Sequence, residues 1–92
     1  DTVKVIEDRA FFSRYNLEKV TLPKNLTEIG DYAFFECNIK EIEIPNTITK
    51  WGKNVFSSCA LEKVTIPTNI KEIPEGMFDA CYKLKNIVKT FQ

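Results

Sequence analysis

Apolar residues recur along this chain with a long period. A shift of 22 positions superimposes Leu17/Ile39/Leu61, Val20/Ile42/Val64, Leu22/Ile44/Ile66 and Pro23/Pro45/Pro67. The same shift runs on through Leu26/Ile48/Ile70, Ile29/Trp51/Ile73, Ala33/Val55/Met77, Phe34/Phe56/Phe78 and Cys37/Cys59/Cys81. A fixed period in this range marks a stack of units, each with an apolar face that only its neighbours can cover. A shift of 23 adds a partial copy upstream, where Val3, Ile6, Ala10 and Phe11 map onto Leu26, Ile29, Ala33 and Phe34. Downstream, Leu84 and Ile87 restart the first two columns. The pattern predicts one solenoid segment over 1–92: a partial coil 1–16, full coils 17–38, 39–60 and 61–83, and a partial coil 84–92.

Spacing within a coil predicts its shape. In LEKVTLP (17–23) the run Val20, Thr21, Leu22 alternates inward, outward, inward and is rich in the residue types that suit a strand. Proline follows each such run, where a missing N–H no longer interrupts a ladder. In GDYAFFEC the apolar positions 33, 34 and 37 fall on one side of a single helical or 3₁₀ turn. Each coil is therefore expected to be a short strand, a corner and a compact turn. Successive strands, linked through the back of the coil, stack in parallel.

The units LEKVTLPKNLTEIGDYAFFEC, IKEIEIPNTITKWGKNVFSSC and LEKVTIPTNIKEIPEGMFDAC resemble leucine-rich repeats of the BspA-like or Treponema pallidum type, with the running pattern LxxIxIPxxLxxIGxxAFxxC. The resemblance covers essentially the whole chain. It implies a β-rich leucine-rich-repeat solenoid of the α/β class, a right-handed coil with short parallel strands on the concave face and short helical or 3₁₀ turns on the back. It also implies a surface or secreted protein of bacteria or protozoa that adheres to host or neighbouring cells through its repeats. Three departures stand out: Trp51 in an isoleucine place, Pro74 in the place of Gly30 and Gly52, and Val55 and Met77 in the alanine place. A proline in the glycine column indicates that φ > 0 is not required there.

Composition narrows the partners. Hydrophobic residues make up 43% of the 92, enough for one packed core. Thirteen basic residues balance thirteen acidic ones, so no net field draws in nucleic acid or an anionic membrane. No apolar run approaches the roughly 18 residues needed to span a bilayer. The opening DTVKVIEDRAFF lacks the basic and apolar regions of a signal peptide. The expectation is a soluble piece of something longer.

The three cysteines are the residues that most invite chemistry. A zinc site wants four ligands, and the chain offers three cysteines and no histidine. Equivalent atoms of neighbouring coils stack at about 4.8 Å, which sets the sulfurs in a line and not a tetrahedron. Parallel Cβ vectors likewise oppose a disulfide. The expectation is three reduced thiols acting as small buried hydrophobes, beside the inward column Phe34, Phe56 and Phe78. Without histidine no Ser-His-Asp or Cys-His arrangement is available, and GxGxxG, Walker and HExxH motifs are lacking. The reading is a non-enzyme without metal or cofactor.

Outward strand positions give the candidate binding face. Down the stack they read Glu18, Lys40, Glu62, Lys85, then Lys19, Glu41, Lys63, Asn86, then Thr21, Glu43, Thr65, Val88. Charges alternate along columns and rows, so the concave face is expected to be a checkerboard that sets register and solubility as readily as it binds a partner. Phe12, Tyr15, Tyr32, Phe35 and Tyr82 do not repeat, and a cluster of them on the back would make a better partner site. The expected function is a protein-protein interaction or adhesion module, with affinity added along an array. Two other readings are an architectural spacer and an intracellular scaffold. Neither end of the chain has the polar outer face of a capping unit, which predicts self-association through open ends.

Overall fold

The computed structural model describes residues 3–90 and measures 29 × 27 × 22 Å. Short parallel strands dominate it, and no helix is present among the described residues. Two three-stranded parallel sheets form. One comprises β3 (Glu41–Glu43), β5 (Lys63–Pro67) and β6 (Asn86–Thr90), and so carries the LxxIxIP stretches. Its register places Glu41 beside Lys63 and Lys63 beside Asn86, with Ile42, Val64 and Ile87 in the next row. These are the columns that the 22-residue shift aligns, with a shift of 23 into β6.

The second sheet is one that strand alternation did not announce. It comprises β1 (Val5–Ile6), β2 (Glu28–Ile29) and β4 (Lys50–Trp51), with Ile6 paired to Ile29 and Ile29 to Trp51. Each strand is only two residues long, too short to show a period of two. The sheet gains one further bond per repeat, Gly30 N–H to Ile6 O at 2.8 Å and Gly52 N–H to Ile29 O at 2.7 Å. Glycine is required here for close approach: a Cβ on Gly30 would overlap the backbone of Asp8, and one on Gly52 the backbone of Gly30 and Asp31. Neither glycine has positive φ. Pro74 in the next repeat has a Cβ and no N–H, so it can neither approach Trp51 as closely nor donate to it. The sheet stops at β4, and Ile73, in the column of the fully buried Ile29, is 47% exposed.

Two expectations need correction. Residues 17–23 form no strand. Leu17 O accepts from Asn38 N–H at 3.0 Å, and Lys24 O accepts from Thr47 Oγ1 at 3.1 Å. Between these anchors no backbone hydrogen bond joins 18–22 to 40–44. A strand exists through ladder bonds as well as alternation, and residues 18–22 make none among the described residues. At the opposite edge β6 keeps its pairing with the β-branched run Ile87-Val88.

The back of each unit is not a helical or 3₁₀ turn either. Left-handed residues recur four apart, at Arg9 and Ser13, Tyr32 and Glu36, and Asn54 and Ser58, followed by Gly76 and Ala80. Positive φ at this spacing prevents a continuous helix. Instead, alternate N–H groups donate to the next repeat: Arg9, Phe11 and Ser13 to Asp31, Ala33 and Phe35; Tyr32, Phe34 and Glu36 to Lys53, Val55 and Ser57; Asn54, Phe56 and Ser58 to Glu75, Met77 and Asp79. These bonds span 2.6 to 3.1 Å. The turns thus form a third inter-repeat ladder beside the two sheets.

The core lies between the ladders. Leu26, Ile29, Phe34, Ile39, Phe56, Leu61 and Ile66 are among its fully buried members. The phenylalanine rings stack face to face, Phe11 on Phe34 at 5.1 Å, Phe34 on Phe56 at 5.4 Å and Phe56 on Phe78 at 6.5 Å. Phe78 is only half-buried, because no repeat among the described residues covers its far face.

Candidate functional site

Cysteine is placed by the turn ladder. Each thiol donates to the carbonyl of a phenylalanine in the preceding repeat: Cys37 to Phe11 O at 3.2 Å, Cys59 to Phe34 O at 2.9 Å and Cys81 to Phe56 O at 3.1 Å. All three are free and buried. A small side chain with a weak donor suits a site where a carbonyl would otherwise be buried with spare acceptor capacity. Hydrogen bonding with Cys37, then burial, pushes the Cys59 thiol well above its ordinary range. Burial raises Cys81. Cys37 is lowered, first because the Cys59 thiol can turn to donate to its thiolate, against burial and with help from Arg14. A hollow of about 610 Å³ lies beside Cys37 and Cys59, lined also by Tyr15, Tyr82 and Lys83. Among the described residues no group of three or more His, Cys, Asp or Glu is arranged to hold a metal ion.

The strand face holds the charged candidates. Lys40, Glu41, Glu43, Glu62 and Lys63 are exposed and Thr65 is half-buried, on or beside β3 and β5. Glu18, Lys19 and Thr21 are exposed on the unpaired segment, outside the sheet. Glu41 and Lys63 are register neighbours. Even so, the one ion pair within 4.0 Å among the described residues lies in the other sheet, Lys50 Nζ to Glu28 Oε2 at 3.7 Å. The checkerboard is thus a set of separately solvated charges. Where residues 20–24 part from β3, a groove of about 740 Å³ opens over Val20, Leu22, Ile42 and Ile44, with Lys24, Glu41, Glu43 and Lys63 on its walls.

The non-repeating aromatics divide. Tyr15 and Tyr82 stand apart and well exposed. Phe12, Tyr32 and Phe35 come together on the turn ladder of the first two repeats: Phe12 stacks on Phe35 at 5.1 Å, and Tyr32 meets Phe35 edge-on at 5.5 Å and Phe12 at 6.5 Å. Arg9 completes the group, its Cζ 5.7 Å from the Phe12 ring centre and 5.6 Å from that of Tyr32. The positions follow from the ladder, since Arg9 and Tyr32 are stacked left-handed residues and Phe12 and Phe35 are stacked three positions later. Phe12 is 40% exposed and Arg9 is exposed, while Tyr32 and Phe35 are half-buried. Beside them Ser13 Oγ donates to Glu36 Oε1 at 2.8 Å. The irregularity of these aromatics pointed to the patch, whereas Arg9 carried no signal, because the ladder that aligns it with Tyr32 was not visible.

A profile of the BspA type leucine rich repeat region matches residues 4–90 in 6 copies. The chain belongs to the BspA-type leucine rich repeat family. Repeats of this family are generally non-catalytic and act as protein-interaction modules. No match was found among curated proteins or among solved structures. In this BspA-type chain no helix among the described residues is long and apolar enough to cross a membrane. The family pattern accounts for the inward columns, and the surfaces that differ between repeats are this chain's own.

Proposed function

We propose that this BspA-type chain is a non-catalytic protein-binding module of a cell-surface or secreted adhesive repeat protein, and that its contact surface is the corner formed by Arg9, Phe12, Tyr32 and Phe35. The observation that carries this reading is the clustering of three non-repeating aromatics and an arginine with no acidic partner within 4.0 Å among the described residues. Aromatic rings and arginine are the side chains that contribute most to protein interfaces. Here the rings are held by their own stacking and the guanidinium lies against two of them, so little order is lost on binding. The guanidinium donors stay open to a carboxylate of the partner. Rigid spacing between repeats adds such contacts along a longer array.

The groove beside β3 supports a second reading, in which an extended segment lies over Ile42 and Ile44 between Glu41, Glu43 and Lys63. Binding of the chain to an array of extracellular proteins separates the two. The corner reading expects partners retained by Glu41→Ala/Lys63→Ala and lost by Phe12→Ser/Phe35→Ser. The reverse pattern assigns the groove, and no partner above background favours the architectural spacer.

A further inference from the structure

The thiol column follows the turn ladder through three successive repeats. Cys37, Cys59 and Cys81 each donate to the equivalent phenylalanine carbonyl of the repeat before, at 3.2, 2.9 and 3.1 Å, so their side chains point the same way. Sulfurs of neighbouring repeats are then set about 4.8 Å apart, the spacing of adjacent parallel strands. A disulfide needs its sulfurs at about 2 Å and its side chains facing each other. Zinc needs four ligands around one point, and among the described residues no third Cys, His, Asp or Glu is arranged with the pair to hold a metal ion. A soft monovalent ion such as Cu(I) asks for neither arrangement, because it favours thiolates and two of them on opposite sides satisfy it. With about 2.3 Å for a metal–thiolate bond, two such bonds end to end span about 4.6 Å, close to the repeat spacing. The line of sulfurs that defeats a tetrahedral site therefore fits a two-coordinate one.

Of the two neighbouring pairs, Cys37 and Cys59 have the entry path. Both line the hollow of about 610 Å³, and Cys81 does not. They are otherwise nearly sealed, at 3% and 4% exposure, so the hollow is their route to solvent. Charge separates the pairs in the same direction. Two thiolates and a monovalent ion carry one net negative charge, and two cations are placed to offset it: Lys83 on the lining and Arg14 beside Cys37. Glu36, the acid on the lining, accepts from Ser13 Oγ at 2.8 Å. At Cys81 the neighbouring charge is Asp79, which opposes an anion there.

We propose that Cys37 and Cys59 form a two-coordinate site for a soft monovalent metal ion of the Cu(I) class, with one sulfur on either side of the ion along the stack. On binding, each thiol releases its proton to solvent and forms one sulfur–metal bond, with no change of oxidation state. The bonds given up are those from the two S–H groups to Phe11 O and Phe34 O, and a thiol is a weak donor. Phe11 O keeps the N–H of Arg14 at 3.3 Å. The site is separate from the Arg9 corner and does not depend on the binding role assigned there.

The test is an anaerobic titration of the reduced 92-residue chain with Cu(I) in the presence of bicinchoninate, a chelator that a single thiol does not outcompete. The chain is expected to withdraw one ion per molecule, and Cys81→Ala is expected to do the same. Cys37→Ala and Cys59→Ala, each checked for folding by circular dichroism, are expected to leave the ion with the chelator. X-ray absorption at the copper edge of the wild-type complex needs no variant, and it is expected to show two sulfur neighbours and no others. A wild-type chain that draws no Cu(I) from the chelator overturns the proposal. So does binding that survives Cys37→Ala through the Cys59 and Cys81 pair, binding lost in Cys81→Ala, or a third ligand in the copper shell.

Discussion

The first two corners of the turn ladder and the next two share a backbone and differ in what they show to solvent. Arg9 and Tyr32 occupy the left-handed position that Asn54 and Gly76 occupy later. Phe12 and Phe35 stand where Ser57 and Asp79 stand later, and the inter-repeat bonds continue unchanged from one pair to the next. The four side chains of the aromatic corner are therefore not needed to build the ladder, because the same ladder forms without them. Stacked left-handed residues place the variable side chains in register, which lets two neighbouring repeats assemble a patch that neither carries alone.

The largest contrast is expected between a buried and a half-buried phenylalanine of neighbouring corners. Phe56 lies fully buried between Phe34 and Phe78, so Phe56→Ala should cost about 3–5 kcal/mol in a denaturant titration. Phe35→Ser, which copies the residue of the next repeat, should cost about 1 kcal/mol or less. Gly52→Ala comes next: its Cβ meets the backbone of Gly30 and Asp31, which cannot move aside as a side-chain tip could, and about 1–3 kcal/mol should be lost.

Alkaline pH tests the thiol column that lies behind the corners. Cys59 and Cys81 have raised thiol pKa values in the fold, so above the ordinary value of 9.0 the native state holds protons that the unfolded chain has released. Their stabilisation is complete below that value and declines above it, with a slope of up to about 1.4 kcal/mol per pH unit for each thiol. Cys37, which is lowered, makes its gain below the same value and adds no slope above it. Titrations at several pH values should show stability falling above about pH 9, with a shallower fall in Cys81→Ala, whose thiol is raised by burial. The smallest effect belongs to Lys50→Ala, where an exposed pair with Glu28 is removed and less than about 0.5 kcal/mol should change.

What the sequence made legible follows from the same division. Period and inward columns were visible because burial demands the same residue type in every repeat, and Leu26, Phe34, Phe56 and Leu61 sit where that demand places them. The glycine column was legible as a position without positive φ, through Pro74. Three features were not legible. The two-residue strands of the second sheet have no alternation to detect. The left-handed residues Arg9, Tyr32, Asn54 and Ser58 share no residue type, so nothing marked the ladder in place of a helical turn. The failure of 17–23 to pair has no mark in its residues, since its composition matches that of the 61–67 stretch that does form a strand. Among candidate sites, the aromatics Phe12, Tyr32 and Phe35 were visible by their irregularity, but their approach to Arg9 depends on the ladder.

Amide hydrogen exchange on the Phe12→Ser/Phe35→Ser chain tests most directly whether the aromatic corner is free for a partner or holds the fold. The account predicts that the ladder amides of Phe11, Phe34, Glu36, Phe56 and Ser58 keep their wild-type protection. Loss of protection across the first two corners would contradict it, because the aromatics would then be a structural brace and not an available surface.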